Sequence, residues 1–176
     1  MKKLGSLEFT DILQHMELVA SPVAQAITDH TYGGVYGVKT NAELADTDNF
    51  CKAYDVRLEE SANCVVVKAK RAQRVWYIAL MILATDRADV NKAVKKHIDA
   101  RKISFAPMSE AVELTGMEYG GITPIGLPDD WVILVDARVA EAPNLVIGSG
   151  IRGSKLLVDG AFLSALPNAE VIDMAL

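Results

Sequence analysis

Apolar positions recur along this chain in two different periods, and the switches between them outline its elements. Leu7, Phe9, Ile12, Leu13, Met16 and Val19 fall mostly three and four residues apart, which predicts an amphipathic helix over Ser6–Ala20. Ser21-Pro22 has the form of an N-cap and first helical position, opening a second helix through Ile27. Gly33 to Val38 reads as strand or loop. Asp46 to Tyr54 reads as a helix capped by Asp46, Thr47 or Asp48.

The period then shortens. Cys64–Lys68 and Val75–Leu83 are apolar runs with strand character, and the linker from Ala69 to Arg74 is short enough for a hairpin. Arg87–Ala100 is charged, with Val90, Val94 and Ile98 on one stripe, and is expected to be helical. Ile103–Phe105 is a short strand. Ser109–Leu114 is a short helix ending at Gly116, a natural residue to follow a helix C-terminus. Val132–Val135, Asn144–Ile147, Lys155–Val158 and Ala169–Ile172 read as strands, and Asp159 or Gly160 to Leu166 as a short helix. The expected class is α/β, with many short strands, some of them antiparallel.

A length of 176 residues fits one domain with an N-terminal extension. We divide the chain into a helical extension at residues 1–28 and a domain at residues 29–176. The apolar N-terminal helix is a candidate for pairing with a second copy, giving a homodimer. Hydrophobic residues make up 51% and charged residues 23%, a globular composition. The longest apolar run, Val75 to Ala84, falls short of the roughly 20 residues a membrane helix needs. No apolar stretch of signal-peptide form follows Lys2-Lys3. Free cysteines at Cys51 and Cys64, without metal spacing, fit buried thiols in a reducing compartment, and the expected location is cytoplasmic. His15, His30 and His97 lie in separate elements, outside any motif, and neither a metal nor another cofactor is expected.

The net charge of −5 alone argues against a broad nucleic-acid surface, and DNA is not expected as a partner. Its distribution is uneven. Lys68–Lys102 holds ten Lys/Arg against three Asp, net +7, while the rest holds eight basic and twenty acidic residues, net −12. Such asymmetry fits a polyanion on one face, or simply a solvated helix face and strand ends.

The candidate chemistry lies in two glycine loops. Thr115-Gly116-Met117-Glu118-Tyr119-Gly120-Gly121-Ile122-Thr123-Pro124-Ile125-Gly126 combines residues that permit positive φ and close approach with one that fixes φ. Gly148-Ser149-Gly150-Ile151-Arg152-Gly153 follows. Together with Asn63-Cys64-Val65-Val66-Val67-Lys68 and Val135-Asp136, in this order, these segments resemble the landmarks of the YbaK / prolyl-tRNA synthetase editing-domain superfamily of aminoacyl-tRNA deacylases. The resemblance covers roughly Asp46 to Ile172, and its most specific piece is Gly120–Gly126.

That resemblance implies a curved, mixed and largely antiparallel sheet flanked by helices. It implies hydrolysis of the ester joining a wrong amino acid to the tRNA 3′ end by a free-standing, trans-acting deacylase. The partners implied are aminoacyl-tRNA and an aminoacyl-tRNA synthetase, with no membrane. Water is the expected nucleophile, and backbone amides of Gly120, Gly121 and Gly148–Gly150 are the candidate donors to the developing oxyanion. Gly120, Asn63 and Ser149 are the candidate catalytic residues. Gly121, Thr123, Pro124, Gly126, Gly148, Gly150 and Arg152 are the candidate substrate-binding residues. Arg152 would pair with 3′ phosphates or brace the loop, and Thr123 would bond the substrate amine or cap the turn. Met117, Ile122, Val67 and Trp76 are candidate walls, the last two equally suited to the core.

Three positions depart from the family pattern. Asn63 stands where members usually carry lysine, Gly148 where a serine is common, and Lys155 where an aspartate follows the second loop. Lys68, five residues beyond Asn63, would face the other side of a regular strand. An asparagine donates hydrogen bonds without supplying charge. The alternative function is therefore a non-catalytic binding or regulatory module that uses the same pocket for an aminoacyl or nucleotide ligand.

Overall fold

The computed structural model describes residues 1–176. The chain opens with two short strands, Lys2–Leu4 (β1) and Leu7–Asp11 (β2), followed by 3-10 turns at Ile12–Gln14 and Met16–Leu18. The helix expected over Ser6–Ala20 does not form. Burial alternates along β2, with Leu7 and Phe9 inward and Glu8 outward, which is strand periodicity. Leu7 and Phe9 pack in one core cluster, and Ile12, Val19, Ala20, Val23 and Ile27 in another. Of the apolar side chains that suggested a dimer helix, Leu13 is exposed, and the others pack inside this chain.

Ser21–His30 (α1) is helical, but Ala20 rather than Ser21 is its N-cap, Pro22 lies in the first turn, and the helix runs three residues past Ile27. Tyr36–Lys39 (β3) follows, then Thr47–Tyr54 (α2), where the Asp46 carboxylate accepts from the Asn49 amide at 3.2 Å. Ala62–Arg71 (β4) and Arg74–Leu83 (β5) form the expected hairpin, tighter than its sequence suggested, with Ala72 at φ 53° in a two-residue turn. The apolar stripe of Val90, Val94 and Ile98 does face a core. Its backbone is not one regular helix but a π turn, Val90–Val94, continuing into Lys95–His97 (α3).

Lys102–Phe105 (β6) is an edge strand, and Met108–Thr115 (α4) stops at Gly116, φ 68°. Val132–Asp136 (β7), Ala137–Ala140 (α5), Leu145–Gly148 (β8), Ser154–Val158 (β9), Gly160–Ser164 (α6) and Ala169–Ile172 (β10) complete the chain. No helix is long and apolar enough to cross a membrane.

The strands form two five-stranded sheets, ordered β1-β2-β3-β9-β8 and β10-β7-β5-β4-β6. Only the β5–β7 and β7–β10 pairs are parallel, so the architecture is mixed and largely antiparallel. Along β5 successive side chains serve opposite cores: Ile78 and Leu80 meet Val94 and Leu134, while Ala79 and Met81 meet Ile27, Ile125 and Ile147. Each of these buried side chains larger than alanine contributes about 1.5–3 kcal/mol.

The sheets share a core and are bridged at one seam. Ser61, just before β4, makes a single parallel bridge to Val146 of β8, reinforced by the Ser61 hydroxyl donating to the Val146 carbonyl at 3.4 Å. The ladder does not continue beyond it. A cavity opens where β4 and β8 part.

Candidate functional site

The cavity at the seam has a volume of about 410 Å³, within the range of small-ligand sites. Its walls come from separate places in the chain. The start of β4 gives Asn63, Cys64 and Val65; the end of β8 gives Ile147 and Gly148. The first glycine loop gives Tyr119, Gly120 and Ile122. Ala45, Asp46 and Thr47 at the start of α2 complete it, with Arg152 and Lys155.

The two glycine loops are interlocked. The Gly150 amide donates to the Gly121 carbonyl at 2.6 Å, and the Gly121 amide to the Glu118 carbonyl at 3.0 Å. Residues 121 and 148 must be glycine for this approach. A Cβ on Gly148 would lie 2.5 Å from the Gly121 carbonyl oxygen, and one on Gly121 would lie 2.7 Å from that of Ile151. Gly120 differs: it sits at φ 87° on the cavity wall, and its amide donates to no group of the chain. Of the candidate oxyanion donors on the first loop, Gly120 is unspent and Gly121 is not.

Asn63 is on the wall, and its side-chain oxygen accepts from the Thr47 hydroxyl at 2.7 Å. The two N–H donors of the amide are left for a ligand. Arg152 braces the loop. Its Nη1 donates to the Tyr119 carbonyl at 3.1 Å, its Nη2 to the Ala42 carbonyl at 3.3 Å, and its amide to the Glu118 carboxylate at 2.7 Å.

The remaining candidates lie elsewhere. Ser149 is fully buried behind the wall; its hydroxyl bonds the Ile151 carbonyl at 3.0 Å and the Ser154 hydroxyl at 2.6 Å. Thr123 is also fully buried, and its hydroxyl has no hydrogen-bond partner, so it neither caps the turn nor reaches the cavity. Gly150 sits at φ 92° against α1. Pro124 and Gly126 line a separate hollow with Pro22 and Trp131. Of the suggested walls, Ile122 lines the cavity, while Met117, Val67 and Trp76 pack in cores.

Sequence reasoning marks Lys155 only as a departure from the family pattern and Thr47 only as a candidate helix cap, and assigns neither to the site. Lys155 is buried, 8% exposed, in a strand whose other members are all apolar or small. A lysine in such a run is itself a signal, because lysine is almost never buried without a partner. Its Nζ donates to the Ala45 carbonyl at 3.3 Å and lies 5.4 Å from the centroid of the Phe50 ring. Burial holds its ammonium below the ordinary lysine value, with the nearby Arg152 charge acting in the same direction. Burial also pushes the Cys64 thiol up to about 12, so this cavity-lining sulfur stays protonated at neutral pH and is a poor nucleophile.

Lys68 does not enter the cavity; its ammonium is held by both oxygens of Glu110 at 3.0 Å. The basic segment instead gathers Lys70, Lys95, Arg101 and Lys102 around a groove at the β6 edge, which shares no residue with the cavity.

Comparison with known proteins converges on one family. Residues 41–165 match the model of the aminoacyl-tRNA editing domain. The chain is 27% identical to the proline--tRNA ligase of Levilactobacillus brevis over 117 residues, covering 63% of this chain and 21% of that protein. It is 32% identical to the proline--tRNA ligase of Lactobacillus johnsonii over 100 residues, covering 52% and 17%. The chain therefore spans about a fifth of the length of these curated relatives. Among solved structures, a protein described as a candidate trans-editing enzyme for prolyl tRNA synthetase superposes with a TM-score of 0.75 at 19% identity, over 88% of this chain and 95% of that one. A hypothetical protein, APE2540, superposes at 0.78 and 20% identity, over 89% and 100%. These likenesses establish the fold.

Proposed function

Because the chain belongs to the aminoacyl-tRNA editing domain family, we propose that it hydrolyses the ester between a wrongly attached amino acid and the 3′ end of a tRNA. The observation that carries this reading is the pairing of two unspent donors on one cavity: the Gly120 amide and the Asn63 side-chain amide. Ester hydrolysis by water passes through a tetrahedral oxyanion. A preorganised N–H aimed at that oxygen is worth roughly 2.7–4 kcal/mol, because it is fixed before the charge develops.

In this mechanism the terminal adenosine and its aminoacyl group enter at the seam between β4 and β8. The Gly120 amide takes the carbonyl oxygen. Asn63 donates to the substrate and fixes its orientation, with Thr47 fixing Asn63. Arg152 keeps the Tyr119–Gly120 turn in place rather than acting on the substrate. Attack by water opens the ester, and the ribose hydroxyl leaves with a proton. The basic groove at the β6 edge is the surface we assign to tRNA phosphates, a contact that weakens steeply with salt.

The test is amino-acid release from a panel of correctly and wrongly charged tRNAs, with Gly120→Ala beside the unaltered protein. Hydrolysis of a mischarged member, lost in the variant, is the expected result. If folded protein hydrolyses no member, the chain is a binding module instead.

A further inference from the structure

Lys155 has no role in the mechanism above, yet its position is hard to account for as packing alone. Its strand, Ser154–Val158, is buried along its whole length, and the lysine is buried with it. An ammonium has three donors. Here one carbonyl, that of Ala45, accepts from it, and no carboxylate lies within 4 Å. Asp46 lines the same cavity, but its carboxylate is occupied as the cap of α2. The Phe50 ring offers partial compensation for the charge. Burying a cation this way costs stability, and the cost is offset when an anion arrives.

We infer that Lys155 is the anion-binding group of the cavity, its ammonium meeting a negatively charged oxygen of the bound aminoacyl-nucleotide. The inference rests on the editing reading of the site and adds to it a positive charge that Asn63 does not provide. Burial lowers the affinity of the amine for its proton by more than Cys51 and the Asp46 carboxylate raise it, which agrees with a site short of counter-charge. Two oxygens have the required chemistry: the carbonyl oxygen as it becomes an oxyanion, and a phosphate of the terminal nucleotide.

The experiment compares the unaltered protein with Lys155→Met on the hydrolysed aminoacyl-tRNA, and measures binding of AMP and adenosine to both. Thermal melting is followed in parallel. Methionine fits the apolar strand and removes the charge, so melting at or above the unaltered temperature is expected. Hydrolysis should fall roughly 10²-fold, the scale of losing one charge-stabilising contact. A fall in kcat with KM unchanged assigns the oxyanion. A rise in KM with kcat unchanged, together with loss of the preference for AMP over adenosine, assigns the phosphate.

A companion variant, Lys155→Ala, should regain part of its activity when ethylamine is added, which a packing role would not allow. Unchanged hydrolysis and unchanged AMP binding in Lys155→Met overturn the inference. So does a loss that merely tracks lost folding and resists ethylamine. If the unaltered protein hydrolyses no aminoacyl-tRNA, the editing reading fails, and AMP binding decides Lys155 separately. An AMP preference that Lys155→Met abolishes supports it, and equal binding of AMP by both proteins, or by neither, overturns it.

Discussion

Thr47 donates to Asn63 across 2.7 Å, tying the first turn of α2 to the opening of β4 on the cavity wall. With its oxygen engaged, the Asn63 amide must present its nitrogen to whatever occupies the site. Thr47→Val keeps the shape and removes the donor, so Asn63 is free to turn over. We expect about a tenfold loss of kcat/KM for the tRNA hydrolysed, with stability changing by about 1 kcal/mol, the worth of one hydrogen bond. Equal activity in steady-state assays of Thr47→Val would remove Asn63 orientation from the mechanism.

Asn63→Lys tests the same wall from the other side. It would bring a second ammonium into the cavity that Lys155 already charges. Like charges in a shared site oppose one another, so the variant is expected to hydrolyse more slowly than the unaltered protein. A large gain of hydrolysis would instead mark Asn63 as a decayed catalytic position.

Gly121 and Gly148 make the loops interlock. A methyl group at position 148 would meet backbone carbonyl oxygens at 2.5 and 2.7 Å, and backbone cannot step aside as a side chain can. Gly148→Ala should destabilise by about 1–3 kcal/mol, the usual cost of overpacking, measured by urea titration. Gly120→Ala meets only the end of the Arg152 side chain, apart from its strained φ of 87°. It should cost less stability than Gly148→Ala and more activity.

The parts of this fold legible in sequence are those decided by neighbours along the chain. The Asp46 cap, the stop at Gly116 and the β4–β5 hairpin rest on local hydrogen bonds and φ preferences. Residues 6–20 were misread because Leu7 and Phe9 of a strand run directly into the 3-10 turn that buries Ile12. Joined together, two short periods imitate a helical one. Asn63, Gly120, Gly148 and Arg152 line one cavity, and the family resemblance marks the segments that carry them. For Lys155 and Thr47 only a departure and a cap are legible, because the cavity exists only where two sheets part at Ser61 and Val146, and no local pattern records that seam.

Asp136 is a landmark whose physical use the structure explains. Fully buried, it accepts from the Arg138, Met174 and Ala175 amides at 3.1, 3.0 and 3.1 Å, anchoring α5 and the C-terminal residues beyond β10. Asp136→Ala leaves one buried and two part-buried amides without an acceptor. At about 1–3 kcal/mol per unsatisfied group, partly relieved by water, a loss of roughly 3 kcal/mol or more is expected. Chemical denaturation checks it. A loss under about 1 kcal/mol would mean the C-terminal residues contribute little, since that is the scale of a single replaceable bond.

The last prediction concerns pH and isolates Lys155. Burial lowers its proton affinity in the folded chain below the unfolded value of 10.5. Below the depressed folded value both states carry the proton, and the cost of the buried charge is constant and full. Between that value and 10.5 the unfolded chain binds more protons than the folded one, so the stability attached to this group rises with pH. Tyr32, Tyr77 and Cys51, which hold their protons more tightly when folded, act in the opposite direction over the alkaline range. They are common to both proteins, so the comparison with Lys155→Met cancels most of their effect. At neutral pH the methionine variant should be the more stable. Its advantage should shrink as the pH climbs toward 10.5, followed by denaturant titrations at matched ionic strength. An advantage that stays constant across that range would mean that the Lys155 amine titrates alike in the two states, and that its charge is not held against the cost of burial.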